Sequence, residues 1–472
     1  IDDAIGSILK NLDPHSYYLS PEELAGAQEQ LEGGFEGIGV EFMILRDTLM
    51  VVKTVDQGPS QKAGLMAGDR IVKVDEEPMV GDSLDSDKAQ KMLKGKRGSK
   101  VNVEVVRPGA EGELSFTITR GNIPLESVPA AFMVNDSIGY VKVERFARTT
   151  YSEFKKATDE LKEKGCRKLI LDLRGNGGGL MDQATGMVEE FLTEDKLIVY
   201  TTGAHSGKEV TLSNKDGDFK KMDVIVMIDQ NSASASEIVA GALQDWDRSI
   251  TIGRRSFGKG LVQHEIELPD NSALRLTVAR YHTPTGRCIQ RPYGDSINYD
   301  DDFHDRISSG ELMSEDSIRF PDSLKFTTPK GRVVYGGGGI MPDIFVPLDT
   351  TYFSGLLGEL SYTGLLREYT FDYVDKNRQE LKKYQDADDF IARFNVSESM
   401  MAALVKRAQG EKMEVKKEAL RKINAELKVR IKAQIARSLY NDTAMYKVLL
   451  SRDNDYKKAL EVAGSFQKYA LK

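Results

Sequence analysis

The sequence predicts a multidomain α/β protein with a helical C-terminal region, and three observations carry that prediction. Its 472 residues exceed the 100 to 200 of a usual domain, with 40% hydrophobic and 29% charged residues as in a folded enzyme. Between 121 and 350, short apolar runs alternate with helix-periodic segments, the pattern of crossover units. From 351 onward the periodicity is almost wholly helical. The boundaries read as an N-terminal helical segment over 1–32, a small β-rich module over 33–120, an α/β core over 121–350 and a helical domain over 351–472.

The N-terminal segment contains Asn11-Leu12-Asp13-Pro14-His15-Ser16, a proline- and Asx-stabilised turn, followed by a helix from about Pro21. No chemistry is assigned to it, and His15 reads as structural. In the next module, Gly37-Ile38-Gly39-Val40 leads into a strand through Met43. Ala63-Gly64-Leu65-Met66-Ala67-Gly68-Asp69-Arg70-Ile71 forms a turn and strand, and Asp87 to Leu93 a short helix ending near Gly95. These runs resemble a PDZ domain. The resemblance implies that the N–H groups of Gly37, Ile38 and Gly39 capture a chain-terminal carboxylate while the peptide adds as a strand beside Val40 to Met43. Ile38, Val40, Ala89, Met92 and Leu93 would line the pocket for the last side chain. The bland alternative is a β-rich module that binds nothing.

In the α/β core, strands are expected at Ile138 to Val143, Lys168 to Leu173, Leu197 to Tyr200, Val224 to Ile228 and Ile250 to Ile252. The intervening helices are Tyr151 to Lys164, Leu180 to Leu192 and Ala235 to Gln244. Leu261 to Leu268 and Ala273 to Tyr281 flank Pro269-Asp270-Asn271-Ser272 as an antiparallel hairpin. Gly336 to Gly339, followed by Ile340-Met341-Pro342-Asp343, reads as a sharp turn closing the core.

Two motifs in this core carry chemistry. Ser234 stands where an apolar strand gives way to a helix, so exposed N–H groups and the positive helix end favour a negative oxygen beside it. Lys259 follows 25 positions later between two glycines. To act as a base it must be neutral, its pKa lowered from about 10.4 to roughly 7 or 8, about 4 kcal/mol of environment. Arg254 and Arg255 are the nearby cations in sequence that would help. Taken singly, Ser234-x-x-Glu237 is equally a helix capping box, and Phe-Gly-Lys-Gly a solvated turn. The run Gly175-Asn176-Gly177-Gly178-Gly179 stands at another strand-to-helix turn, where glycines let backbone amides approach a substrate closely. It matches neither the Walker pattern nor G-x-G-x-x-G.

Ser-Ala-Ser-Ala-Ser-Glu-Ile, Gly-Lys-Gly-Leu-Val-Gln and Leu-Asp-Leu-Arg-Gly-Asn-Gly-Gly-Gly together resemble the carboxy-terminal processing proteases, the S41 serine peptidases also called tail-specific proteases. The resemblance implies a crotonase-like ββα-spiral core with Ser234 as nucleophile, Lys259 as base and Gln263 as the supporting glutamine. It also implies an oxyanion hole formed by the N–H groups of Ala235 and of one loop glycine, here Gly178. Members often carry proline where Gly177 stands. A Leu-Asp-Pro-His-Ser element precedes the recognition domain in this family, as here, and the 336–343 segment also has its counterpart there.

The C-terminal region has an apolar stripe of Leu420, Ile423, Leu427, Ile431, Ile435 and Leu439 with charges opposite, and breaks at Gly410 and Asn441-Asp442-Thr443. One face must be buried. Docking on the core or on a second subunit would do so, which makes a homo-oligomer through the helical regions an expectation. This region is net basic on a chain of net charge −8, read as a solvated face or as contact with the acidic body, an acidic partner or a membrane surface.

Other functions find less support. Cys166 and Cys288 form no disulfide framework or metal spacing, the five histidines include no H-E-x-x-H, and neither metal nor organic cofactor is expected. His264 would serve only in a less favoured Ser-His variant. No nucleic-acid partner is expected. No run of about 18 apolar residues is present, and the chain opens at Ile1 without signal-peptide features, so a signal or anchor is expected to be missing from it. The resemblance implies the bacterial cell envelope, on the periplasmic side. The expected activity is an endopeptidase that recognises protein or peptide substrates by their free C-terminal tails and cleaves upstream through an acyl-enzyme. The competitors are a crotonase-type acyl-CoA enzyme, for which no CoA pocket or catalytic carboxylates are identified, and a noncatalytic PDZ scaffold.

Overall fold

The computed structural model describes residues 2–45, 47–81, 84–294 and 299–470. They form two compact units, each assembled from separated stretches of chain: residues 1–33, 126–349 and 452–472 in one, 34–125 and 350–451 in the other. The helical region expected over 351–472 therefore divides, residues 452–470 joining the α/β core. No helix among the described residues is long and apolar enough to cross a membrane.

In the α/β unit, strands Ile138–Lys142, Lys168–Asp172, Asp223–Ile228, Ser249–Gly253 and Ile344–Phe345 run parallel in that order, with Ala130–Met133 antiparallel at the edge. A parallel sheet needs both faces covered. Helices Thr150–Glu163, Met181–Glu189 and Ala235–Asp245 pack on one side, with Leu169, Leu171, Val224, Val226 and Ile228 facing them. The tail helix Asn454–Gly464 runs along the strands, with Tyr456 edge-on to Tyr140. Strand Leu197–Gly203 lies outside this sheet. It pairs antiparallel with Gly207–Leu212 and with Ala273–His282, the second arm of the expected hairpin, whose first arm is Leu261–Glu267. Tyr17–Leu19 adds beside the same long strand and brings the N-terminal turn to it.

In the other unit, strands Val40–Leu45, Thr48–Thr54, Arg70–Val74, Lys100–Val106 and Glu113–Thr119 form an antiparallel sheet closed by helix Ser86–Leu93, which Asp85 caps by accepting from Lys88 N–H. Val101, Val103 and Val105 alternate into the core with Leu49, Val51 and Ile71. Asp69 of the glycine-flanked turn is buried and takes Arg107 Nε at 2.7 Å and Nη2 at 2.8 Å. The helical stretch packs on the opposite face of the first two strands, with Phe371 against Leu45 and Met50 and Arg437 paired to Glu41 at 2.7 Å. In helix Lys417–Leu439, Ile423, Leu427, Ile431 and Ile435 are fully buried, and Leu420 and Leu439 pack partly. The stripe is thus covered by its own chain, and the self-association expected of it loses its physical reason.

Candidate active site

Ser234 ends the turn after strand Asp223–Ile228 at φ 54°, ψ −114°, immediately before helix Ala235–Asp245. A serine there stores about 1–3 kcal/mol of strain, which persists only where its surroundings over-determine it. They do so here. Ser234 N–H donates to Glu237 Oε2 at 2.8 Å, Ala233 N–H to Asn176 O at 3.0 Å, and Ser232 Oγ to Leu173 O at 2.9 Å. Ala235 N–H, at the first helical position, has no protein acceptor among the described residues.

The glycine loop lies against this turn. A Cβ on Gly178 would stand 2.7 Å from Ser234 Cβ and 3.0 Å from Ala235 N, and φ there is +100°, so a side chain is excluded on both counts. Asn176, fully buried, ties the loop down: its Oδ1 accepts Gly178 N–H at 2.8 Å, its Nδ2 donates to Val143 O at 3.1 Å, and its carbonyl takes Ser236 Oγ at 2.9 Å. The expected second oxyanion donor is therefore already engaged with Asn176.

Lys259 Nζ donates to Gln263 Oε1 at 2.9 Å, and Gln263 Nε2 donates to the carbonyl of His15. Burial holds the amine below the ordinary lysine pKa, Arg275 lowers it further, and Glu237 and Asp13 oppose. The helping cation is thus Arg275, not Arg254 or Arg255, whose guanidiniums are turned to Asp455 and Glu311. Ser234, Ala235, Gly178, Lys259 and Gln263 all line one cleft of about 500 Å³, walled by Leu180, Met181, Ile238 and Val262. The lysine's hydrogen bond goes to Gln263 and none joins it to Ser234, as is common before substrate tightens a site.

Glu237 joins the two motifs. Fully buried, it takes Ser234 N–H and Lys259 N–H on Oε2 and Ser256 Oγ and Gly258 N–H on Oε1, all within 2.9 Å. Burial raises its pKa against those four bonds. The Tyr281 hydroxyl reaches the carbonyls of both Ser234 and Lys259. Glycines 337 and 339 seat the segment expected to close the core: their N–H groups bond Cys288 O and Ile289 O, and Ile340 N–H bonds Ser256 Oγ.

The N-terminal turn, given no chemistry from sequence, stands beneath the lysine. Asp13 accepts Ser16 Oγ, His15 N–H and Thr277 Oγ1, and His15 Nε2 shares a hydrogen bond with Tyr299 at 2.8 Å. His15 falls to a pKa of about 4, through burial first and the Lys259 charge second. His264, by contrast, is exposed. In the separate unit, Gly37, Ile38, Gly39 and Val40 form the bend between strands Gly34–Gly37 and Val40–Leu45. The N–H groups of Ile38 and Gly39 have no backbone acceptor among the described residues, while the Ile38 carbonyl is held by Ser60 N–H and Oγ. Ile38, Ala89 and Leu93 are buried in the core there, with Val40 and Met92 packed partly against it.

Residues 137–300 match peptidase family S41, residues 37–118 match the PDZ domain, and residues 356–441 match a family of unknown function. The carboxy-terminal-processing protease of Bartonella bacilliformis is 38% identical over 295 residues, 61% of this chain and 67% of that protein. The carboxy-terminal processing protease CtpB of Bacillus subtilis is 35% identical over 297 residues, 62% of this chain and 61% of that protein. The carboxyl-terminal-processing protease of Synechocystis is 34% identical over 296 residues, 61% of this chain and 68% of that protein. The chain thus spans roughly three fifths to two thirds of the length of these relatives.

Proposed function

The chain belongs to the carboxy-terminal-processing proteases of peptidase family S41, and on that premise we propose that it is a serine endopeptidase. In this reading it captures a protein's free C-terminal tail and cuts upstream with a Ser234–Lys259 pair. The observation that carries the proposal is the single buried carboxylate of Glu237, which fixes the strained nucleophile turn and the lysine loop to each other at the wall of one cleft.

Ser234 Oγ attacks the scissile carbonyl as the neutral Lys259 amine takes its proton, and the ammonium then protonates the departing amine. Water, deprotonated by the same amine, releases the acyl group. Gln263 holds the amine in place between turns. The oxyanion is received by Ala235 N–H, and by Gly178 N–H once it is drawn from Asn176 Oδ1. The reaction uses neither metal nor organic cofactor. The PDZ bend supplies the N–H groups of Gly37, Ile38 and Gly39 for the tail carboxylate, and the peptide adds beside Val40. A periplasmic place in the bacterial cell envelope belongs to the same reading and rests on family membership.

A serine-reactive phosphonate is expected to label Ser234 and stop peptide hydrolysis; hydrolysis that continues after full labelling of Ser234 rejects the nucleophile. Amidating the terminal carboxylate of a peptide substrate is expected to weaken its binding about tenfold or more, from the loss of charge-assisted hydrogen bonds. Equal affinity for the free and amidated tails in a titration would reject the role given to Gly37, Ile38, Gly39 and Val40.

A further inference from the structure

The two loops that make the cleft share a buried anchor far from it in sequence. Arg174 immediately precedes the Gly175 to Gly179 loop, and Arg254 opens the loop leading to Lys259. Both guanidiniums turn to one carboxylate on the first turn of the tail helix, Asp455, which is 5% exposed. Its Oδ1 accepts Arg254 Nη1 at 3.0 Å, and its Oδ2 accepts Arg254 Nη2 and Arg174 Nη1, each at 3.1 Å. Arg174 has further carboxylates, Asp172 at 2.7 Å and Asp453 at 2.7 Å. Arg254 has none besides Asp455 among the described residues; its other partners are Gln230 Oε1 at 3.0 Å and Val346 O at 3.2 Å. Farther along, the tail helix is held by Lys168 Nζ on Ala463 O.

We propose that Asp455 is a positioning residue for proteolysis, locking the root of the oxyanion loop to the root of the lysine loop. The proposal deepens the Ser234–Lys259 reading and rests on it. Near the cleft each loop is tied to the Ser234 turn, the lysine loop through Glu237 and the glycine loop through the Asn176 carbonyl; Asp455 joins the two loops directly at the opposite end, where the chain leaves the sheet. Without its charge, Arg254 is a buried cation facing only neutral oxygens, which favours movement of its backbone toward water. Because a displacement of about 1 Å at a catalytic group costs on the order of a hundredfold in rate, a modest shift at the loop root reaches the chemistry.

The test is Asp455→Asn in the full chain, which keeps the shape and removes the charge. At a temperature where circular dichroism matches the parent, kcat on a quenched peptide is expected to fall about tenfold or more with KM within about twofold, since the groove for the peptide is untouched. The rate of phosphonate labelling at Ser234 falls in parallel. Lys458→Ala, which breaks a surface pair with Glu461 on the same helix, leaves both unchanged. A smaller fall in kcat, or a fall matched by loss of folded protein alone, overturns the proposal. Should Asp455→Asn fail to fold, Arg254→Lys decides: it keeps the charge but loses the two-pronged grip, and a kcat equal to the parent's overturns the proposal. An active Ser234→Ala would instead sink the serine mechanism, whereas an inactive Ser234→Ala beside a fully active Asp455→Asn sinks only the positioning role.

Discussion

Ser234→Ala and Lys259→Ala are each expected to lower peptide hydrolysis by roughly ten-thousand-fold or more, to the level left by binding and the oxyanion donors alone. The losses are not additive, because a hydroxyl without its base and a base without its hydroxyl are equally unable to form the acyl-enzyme. The double variant is therefore expected to match either single one. Both proteins are expected to remain folded: the backbone bonds of Ser234 that hold its turn do not involve the hydroxyl, and Lys259 Nζ donates to the part-buried Gln263 amide, which its loss leaves open to the cleft. Hydrolysis of a quenched peptide, measured beside thermal unfolding, checks this, and either variant retaining more than a few per cent of parental activity would refute the assignment.

Glu237 gives the second large effect, on stability and activity together. Glu237→Ala leaves three backbone N–H groups and the Ser256 hydroxyl without their acceptor in a fully buried place, at about 1–3 kcal/mol each. The protein is expected to melt far lower or not to fold. Glu237→Gln is the sharper probe, since its NH2 must face N–H donors on one side while the volume is conserved. It is expected to lower kcat about a hundredfold, because Ser234 can then relax from its strained φ. A crystal structure of this variant with Ser234 still at φ near 54° and normal kcat would show that the carboxylate does not hold the turn.

The sequence already displays Ser234, Lys259 and the glycine loop because each is a local motif: a short run at a strand end, readable without knowing its neighbours. The strands from Lys168 to Asp172 and from Asp223 to Ile228 are equally plain, as continuous apolar runs of a sheet covered on both faces. What the sequence hides is long-range. Asp13 and His15 read as a turn because their partners, Thr277 and Gln263, lie more than 200 residues away. Glu237 reads as a helix cap, which is half its work; the other half falls on Ser256, Gly258 and Lys259 across a strand. Arg254 and Arg255 stand near Lys259 in sequence, yet their side chains go to Asp455 and Glu311, while Arg275 reaches the lysine from the hairpin. Leu197–Gly203 alternates with helices like its neighbours, and its place in the second sheet is set by pairing with Ala273–His282. The Leu420 to Leu439 stripe shows that a face is buried but not by what, and its own helices cover it.

The pH dependence of acylation at Ser234 tests the central claim, a lysine kept neutral by its surroundings. Burial and the Arg275 charge both disfavour the ammonium, so the acylation rate is expected to rise with pH along a limb centred below the ordinary lysine value of 10.5. Removing a positive neighbour favours the ammonium again, so Arg275→Gln is expected to move that limb to higher pH. A parental limb centred at or above 10.5, or one that stays in place in Arg275→Gln, would contradict the account.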